Sequence, residues 1–282
     1  MKKNNSLEPS VPVAYQGEPG AYSEAALLEF FQGNVTAFGK NSFEDVFEAV
    51  ESGACKFGFI PIENSLAGSI HRNYDLLREH SLFIIGETSL RVQHCLIANP
   101  GVKKEQIRIV QSHPQALEQC RGYLNRWPEV TAEPVYDTAG AVKLLSDTHD
   151  QTTAAIASHR SAEIYHMDIL AEGIEDNPAN FTRFLVLAPQ PVDPGKDAKT
   201  SIVVSLHNQP GSLFKALSVF ALRDIDLTKL ESRPLIGLPG QYLFYIDFAG
   251  SIQDEPIKRA LNHLEEYAAM LRVLGSYPRH RM

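Results

Sequence analysis

The chain has 282 residues, 44% hydrophobic and 21% charged, with a formal net charge of -8. That length suits about two ordinary domains, and a negative balance with no run of Lys and Arg excludes a nucleic-acid surface, which needs clustered cations against phosphates. Three scattered cysteines among apolar neighbours, Cys55, Cys95 and Cys120, argue against a disulfide framework or zinc knuckle and for reduced core thiols in a cytoplasmic protein.

Residues 1–10 are polar, with neither an apolar leader core nor an amphipathic Arg-rich transit pattern. No run of about 18 apolar residues follows, so no membrane span is expected. Residues 11–15 read as a first strand. Gln16-Gly17-Glu18-Pro19-Gly20 is a turn whose glycines allow an unusual backbone path. A helix burying Leu27, Phe30 and Phe31 comes next. Strand, glycine turn and helix can hold an anion at the helix N-terminus. The spacing matches neither G-x-G-x-x-G nor a P-loop, which argues against a nucleotide and leaves a small carboxylate or an ordinary tight turn. Ser42 starts a second helix, with Asp45 at the capping-box position, Phe43, Val46, Phe47 and Val50 on one face, and Gly53 as its stop. Residues 57–62 are wholly apolar, as in a parallel strand covered on both faces. The strand ends in Glu63-Asn64-Ser65. Ligands of open α/β sheets bind beyond the carboxyl ends of strands, so the triplet is either a site or a solvated loop before the next helix.

A helix is expected over 71–80, a strand over 82–85, and a long extended run over 90–98 that would cross between two lobes. Residues 107–110 form the next strand. Pro114 fits the first turn of a helix capped by Ser112 or His113, with Leu117, Cys120 and Leu124 toward the core. Ser112 and Gln119 lie seven apart and are expected to share another face, looking into a cleft; His113 reads as a cap or local hydrogen-bond partner. Strands at 131–135 and 154–157, helices from Asp137 and Ser158, and an extended return from Ile169 complete the alternation of an α/β domain over 11–188. Near its end, Asn180-Phe181-Thr182-Arg183-Phe184 sets a hydroxyl and a guanidinium at the mouth of the apolar strand 185–188. It is either a site completed as the chain folds back, or a strand end whose Arg faces water. No His pair at i, i+4 and no H-E-x-x-H occurs, so no metal site is expected.

Residues 189–198 hold three prolines, a glycine and charges, the composition of a linker. Residues 199–278 read as strand (201–206), helix (212–222), strand (227–232), strand (242–248), helix (256–267) and strand (271–277), a ferredoxin-like βαββαβ pattern. Asn208-Gln209-Pro210-Gly211 turns into the first of these helices. It either offers backbone N–H groups to an anion or is a plain Pro-Gly turn.

Five motifs occur in order: Gln16-Gly17-Glu18-Pro19-Gly20-Ala21-Tyr22-Ser23, Pro61-Ile62-Glu63-Asn64-Ser65, Ser112-His113-Pro114-Gln115, Asn180-Phe181-Thr182-Arg183-Phe184 and Glu231-Ser232-Arg233-Pro234. With the βαββαβ tail, the chain from 11 to 277 resembles prephenate dehydratase with a C-terminal ACT regulatory domain. The resemblance implies a two-lobed, type II periplasmic-binding-protein-like catalytic domain, with lobes of about 11–90 plus 169–188 and 91–168. The ACT domain follows. A fused chorismate mutase, which needs a long helical extension before the first strand, is not expected. The implied reaction takes prephenate to phenylpyruvate with loss of carbon dioxide and water, without a cofactor. Thr182 is implied as the proton donor; a threonine hydroxyl is a feeble acid, but a held donor suffices where aromatisation has already lowered the barrier.

By the same resemblance Glu63 and Asn64 join Thr182 as catalytic residues, and Ser65, Ser112, Gln119 and Arg183 contact substrate. Arg183 either balances the dianion or makes a structural ion pair. Glu63 beside a dianion would be repelled unless protonated or hydrogen-bonded. L-Phenylalanine is implied as an effector bound between two ACT domains. Asn208, Pro210, Gly211, Ser212, Leu213 and Phe214 would contact it on one side, and Glu231, Ser232, Arg233 and Pro234 would face it across the interface. That implies a homodimer through the ACT domains and a homotetramer overall. Phe214 stands where the family usually has Val, which bears on the size of the effector pocket. Arogenate dehydratase is the close alternative, and a non-catalytic amino-acid sensor the remoter one.

Overall fold

The structure, a computed structural model, describes residues 10–235, 237 and 240–281. The polar stretch 1–9 lies outside the described residues. Contacts divide the chain into two compact units, residues 1–70 with 88–184 and residues 71–87 with 185–282.

The first unit opens with β1 (Val11–Gln16), α1 (Tyr22–Phe30), β2 (Val35–Lys40), α2 (Phe43–Glu51), β3 (Phe57–Asn64) and the short β4 (Gly68–Ser69). β1 runs parallel to both β2 and β3. Val13, Ala14, Phe59 and Ile60 are buried with Leu27 of α1 and Val46, Phe47 and Val50 of α2. The capping box forms as expected: Ser42 Oγ accepts the Asp45 N–H, and Asp45 accepts the Ser42 N–H. Phe31 instead stacks on Phe57, with ring centroids 5.6 Å apart, and Phe30 is partly exposed, because α1 ends there.

α3 (His71–Glu79) and β5 (Phe83–Arg91) follow. The extended run expected over 90–98 is broken. β5 stops at Arg91, and β6 (Cys95–Ala98) opens the second sheet. Between them the Val92 N–H donates to the Asn180 carbonyl and the His94 N–H to Glu175, so the crossing segment is held by the returning chain rather than by a continuous ladder.

The second sheet adds β7 (Ile109–Ser112), β8 (Thr131–Pro134), β9 (Thr153–Ala157) and β10 (Asp168–Glu172), in the order β10-β6-β9-β7-β8. It carries α4 (Pro114–Gln119), α5 (Arg121–Asn125), α6 (Thr138–Thr148) and α7 (His159–Tyr165). Ala116 and Cys120 pack with Leu96 and Val110; Val142, Leu145 and Ala162 pack with Cys95 and Ala155. The second sheet is thus covered on both faces. β11 (Phe181–Ala188) returns the chain to the first sheet, whose order is β2-β1-β3-β11-β5. Two sheets joined by two crossings give the two-lobed α/β architecture that the resemblance implied.

The second unit contains β12 (Ala198–Leu206), α8 (Ser212–Ala221), β13 (Leu227–Pro234), β14 (Tyr242–Ala249), α9 (Glu255–Glu265) and β15 (Ala268–Pro278). The sheet is antiparallel in the order β13-β14-β12-β15. Both helices cover one face, with Ala216, Phe220, Ile257 and Leu264 in the core. α3 belongs to this unit as well. Arg272 donates to the carbonyls of Arg78, His80 and Leu82, Tyr245 donates to the Tyr74 carbonyl, and Arg233 pairs with Asp75 at 2.9 Å. Among the described residues, no helix is long and apolar enough to cross a membrane.

Candidate active site

The first unit holds a cleft of about 300 Å³ beyond the carboxyl end of β3, reached by side chains of both lobes. Asn64 and Thr182 come from the first sheet, Tyr22 from α1, His94 from the crossing segment and Gln119 from the end of α4. A single hydrogen-bonded chain runs through them. Asn64 Oδ1 accepts the backbone N–H groups of Leu66 (3.1 Å) and Ala67 (2.9 Å). Backbone donors can face only the oxygen of an amide, so its Nδ2 must point the other way. There it meets Asn180 Oδ1 at 2.8 Å and Thr182 Oγ1 at 3.0 Å.

The same logic carries onward. Asn180 is fully buried and donates through Nδ2 to Gln119 Oε1 at 3.1 Å. That oxygen also takes His94 Nε2 at 2.9 Å, so Nε2 carries a proton. His94 Nδ1 lies 2.8 Å from the Tyr22 hydroxyl, which is itself 3.0 Å from the Gln93 carbonyl. Burial pushes the Tyr22 phenol well above its usual pKa, with Cys95, Cys120 and Glu175 adding to it. Burial also lowers the His94 pKa, against smaller opposing contributions from Gln119 and Glu175. The site is therefore a relay of oriented amide, imidazole and phenol groups that ends on the Thr182 hydroxyl. Oγ1 of Thr182 accepts from Asn64, which leaves its own proton to be donated elsewhere, and an alkoxide forming on it would keep the amide donor.

Strand alternation sorts the remaining expected residues. Neighbours in a strand point to opposite faces, so Glu63 and Arg183 lie away from Asn64 and Thr182. They pair with each other at 3.7 Å and do not line the cleft. Ser65 also lies outside the lining. Its Oγ donates to the Ala179 carbonyl at 2.8 Å and accepts the Phe181 N–H at 2.9 Å, fastening the end of β3 to the start of β11. Ser112 does not share a face with Gln119. It is the last residue of β7, fully buried, and donates to the Ile156 carbonyl at 2.6 Å. The seven-residue spacing has no meaning there, because the helix starts only at Pro114. His113 caps that helix, accepting the Gln115 N–H through Nδ1 at 3.2 Å, and lines the cleft as well.

Tyr22, His94 and Asn180 were not singled out from sequence as site residues. Tyr22 and Asn180 stand within the ordered motifs without a role of their own, and His94 lies outside them, where a lone His beside apolar residues usually belongs to a core. The glycine turn at 16–20 has its own carboxylate: the Gly20 N–H donates to Glu24 at 2.6 Å, and Arg160 pairs with the same Glu24 at 3.1 Å.

In the second unit a smaller pocket, about 140 Å³, lies where β12 turns into α8. Asn208, Ser212 and Leu213 line it, joined by His207, Gly240 and Tyr242. Pro210, Gly211 and Phe214 border the turn without lining the pocket. Gly211 has φ +80 at the helix N-cap, and Phe214 is 77% exposed. Glu231, Ser232, Arg233 and Pro234 lie along β13 outside it. Glu231 is 3.7 Å from Lys229, and Arg233 is committed to Asp75.

The sequence matches the family described as prephenate dehydratase over residues 13–192 and the ACT domain over residues 200–266. A relative from Arabidopsis thaliana, "Arogenate dehydratase/prephenate dehydratase 2, chloroplastic", is 52% identical over 95% of this chain and 73% of its own length. That chloroplastic relative overturns the expectation of a cytoplasmic protein. Among solved structures, a prephenate dehydratase from Arthrobacter aurescens in complex with L-Phe matches with TM-score 0.88 and 31% identity, over 95% of this chain and 90% of that one. A protein described as GqqA, a novel type of quorum quenching acylase, matches with TM-score 0.88 and 33% identity, over 95% and 98% of the two chains.

Proposed function

The chain belongs to the prephenate dehydratase family and carries an ACT domain, and from that premise we propose that it catalyses the loss of carbon dioxide and water from prephenate, yielding phenylpyruvate. The observation that carries the reading is the Thr182 hydroxyl in the cleft, held by Asn64 Nδ2 at 3.0 Å with its proton available to a leaving group. Thr182 protonates the ring hydroxyl of prephenate, which leaves as water; the ring carboxylate departs as carbon dioxide, its C–C bonding pair completing the aromatic ring; and the Thr182 alkoxide regains its proton from solvent. General acid catalysis by a held group contributes about 10²–10⁴-fold. Asn64 fixes the donor, Gln119 offers its Nε2 amide to the substrate, and the Glu63–Arg183 pair, Ser65 and Ser112 position the strand ends from outside the cleft.

Arogenate is the second reading, favoured by the relative that bears both names. Its product would be phenylalanine directly. Side-by-side kcat/KM values for prephenate and arogenate test both. Turnover of neither would sink the dehydratase reading, and a fold shared with a protein described as an acylase makes that assay necessary.

The ACT pocket is assigned to L-phenylalanine as effector. Supporting it are the position of the pocket at the β12–α8 turn and the L-Phe complex of the Arthrobacter relative. Exposed Leu213, Phe214, Leu230 and Tyr242 on this domain supply the apolar surface that pairing of two ACT domains needs, and Glu231 to Pro234 would face the effector from the second copy. The assembly is a dimer through these domains and a tetramer overall. Light scattering with and without phenylalanine tests it; a monomer under both conditions would refute it.

A further inference from the structure

Resting on the dehydratase reading, the cleft must accept a substrate with two carboxylates. Among the described residues that line it, none is Lys or Arg. The imidazoles among these lining residues are His94 and His113. His113 uses Nδ1 to cap α4. His94 is 2% exposed, and its partners suit two protonation states equally. In both, Nε2–H donates to Gln119 Oε1. In the neutral ring, Nδ1 accepts the Tyr22 hydroxyl at 2.8 Å. In the cation, Nδ1–H donates to the Tyr22 oxygen, and the phenol proton turns to the Gln93 carbonyl, 3.0 Å away. Neither state leaves a polar atom of the ring or the phenol unpaired, so the phenol acts as a rotor that spares the cation an unsatisfied donor, while burial still disfavours the charge itself.

We propose that Tyr22 and His94 form a proton-linked counter-charge: a dianionic substrate binds together with one proton that His94 takes from solvent, whereas a substrate carrying its own ammonium binds without one. The groups facing His94 fit this role. Tyr22 on α1 stays a phenol. Cys95 beside it and Cys120 at the end of α4 are pushed up by burial and remain thiols. Glu175, on the returning segment, accepts the His94 backbone N–H at 2.9 Å and favours the cation, while Arg91 shares that carboxylate at 3.3 Å. Burial lowers the free ring's pKa, so near neutrality the ring is uncharged until two substrate carboxylates reverse the balance. Tighter binding of prephenate at lower pH follows by linkage. Arogenate, with an ammonium beside its carboxylates, escapes it.

The test measures kcat/KM for both substrates from pH 6.5 to 8.5 in the wild type, His94→Gln and Tyr22→Phe. The expected wild-type result is a tenfold fall per pH unit for prephenate, carried by KM, and a flat profile for arogenate. His94→Gln should lose the prephenate slope and raise KM about tenfold at pH 6.5. Tyr22→Phe should keep the slope but lower prephenate kcat/KM throughout, because the cation loses its acceptor. Titration calorimetry of prephenate into Thr182→Ala, in buffers of different ionisation enthalpy, should count about one proton taken up per site, and none for arogenate. A flat wild-type prephenate profile, a slope that survives in His94→Gln, or zero proton uptake overturns the proposal. Failure of both substrates to turn over would sink the dehydratase reading instead, and the proton count on prephenate binding to the wild type would then decide; no binding would overturn the proposal too.

Discussion

Asn64 and Thr182 meet through one amide group, Nδ2 to Oγ1 at 3.0 Å, and the orientation of that amide is imposed from its other end by the N–H groups of Leu66 and Ala67. Two side chains 118 residues apart in the chain therefore act as one unit. Each of Asn64→Ala and Thr182→Ala should lower kcat by about 10²-fold or more, within the range for a positioned acid. The double variant should be little worse than the worse single one, because residues that act as a unit are non-additive. Steady-state kinetics on the three variants checks this; multiplicative losses would separate the two roles.

Glu63 and Arg183 occupy the opposite face of the same two strands, 3.7 Å apart and partly exposed. An ion pair so placed contributes about 0–1 kcal/mol. Glu63→Gln should leave kcat within about tenfold of wild type, well short of the loss in Asn64→Ala. A loss as large as that of Asn64→Ala would put Glu63 in the chemistry.

Gly20 joins the lobes. Its carbonyl accepts both Ser158 Oγ at 2.6 Å and Ser161 Oγ at 2.9 Å, its φ is +93, and a Cβ would lie 2.8 Å from Ser161 Cα. Gly20→Ala combines a left-handed backbone with a backbone clash, costing about 2–4 kcal/mol. The urea midpoint should fall accordingly; an unchanged midpoint would mean the two lobes separate readily at this seam.

All three cysteines are buried, and burial raises each thiol, with Cys95 pushed up to about 12. Since thiolates are the reactive species, a disulfide reagent at pH 8 should label none of them in the folded protein and all three in denaturant. The sign of the linkage follows. A thiol whose folded pKa exceeds its unfolded value contributes stability present below the unfolded value and lost as pH rises through the folded one. Stability should decline above about pH 9, and less steeply in Cys95→Ala. Rapid labelling of the folded protein would contradict the burial.

Periodicity, caps and turns lie within a few residues of one another, which is why so much of the fold could be read from the chain itself. The Ser42–Asp45 box, the apolar run of β3, the proline at the start of α4 and the βαββαβ order of the C-terminal unit are all local patterns. The ordered motifs likewise hold Asn64 and Thr182, together with Glu63, Ser65, Ser112 and Arg183, while Gln119 lies outside them and follows from the family resemblance. Only the tertiary structure decided which of two neighbours faces the cleft. Glu63 and Asn64, or Thr182 and Arg183, are equivalent as adjacent letters, and a one-residue step in a strand reverses the face. The sheet's packing chose Asn64 and Thr182. Helical spacing pairs Ser112 with Gln119, but the strand-to-helix boundary between them buries one and leaves the other in the cleft. Tyr22 and Asn180 stand inside the ordered motifs and His94 outside them, but the hydrogen bonds that join all three through Gln119 came only with the convergence of distant segments, because a hydrogen bond between residues dozens of positions apart leaves no local trace in sequence.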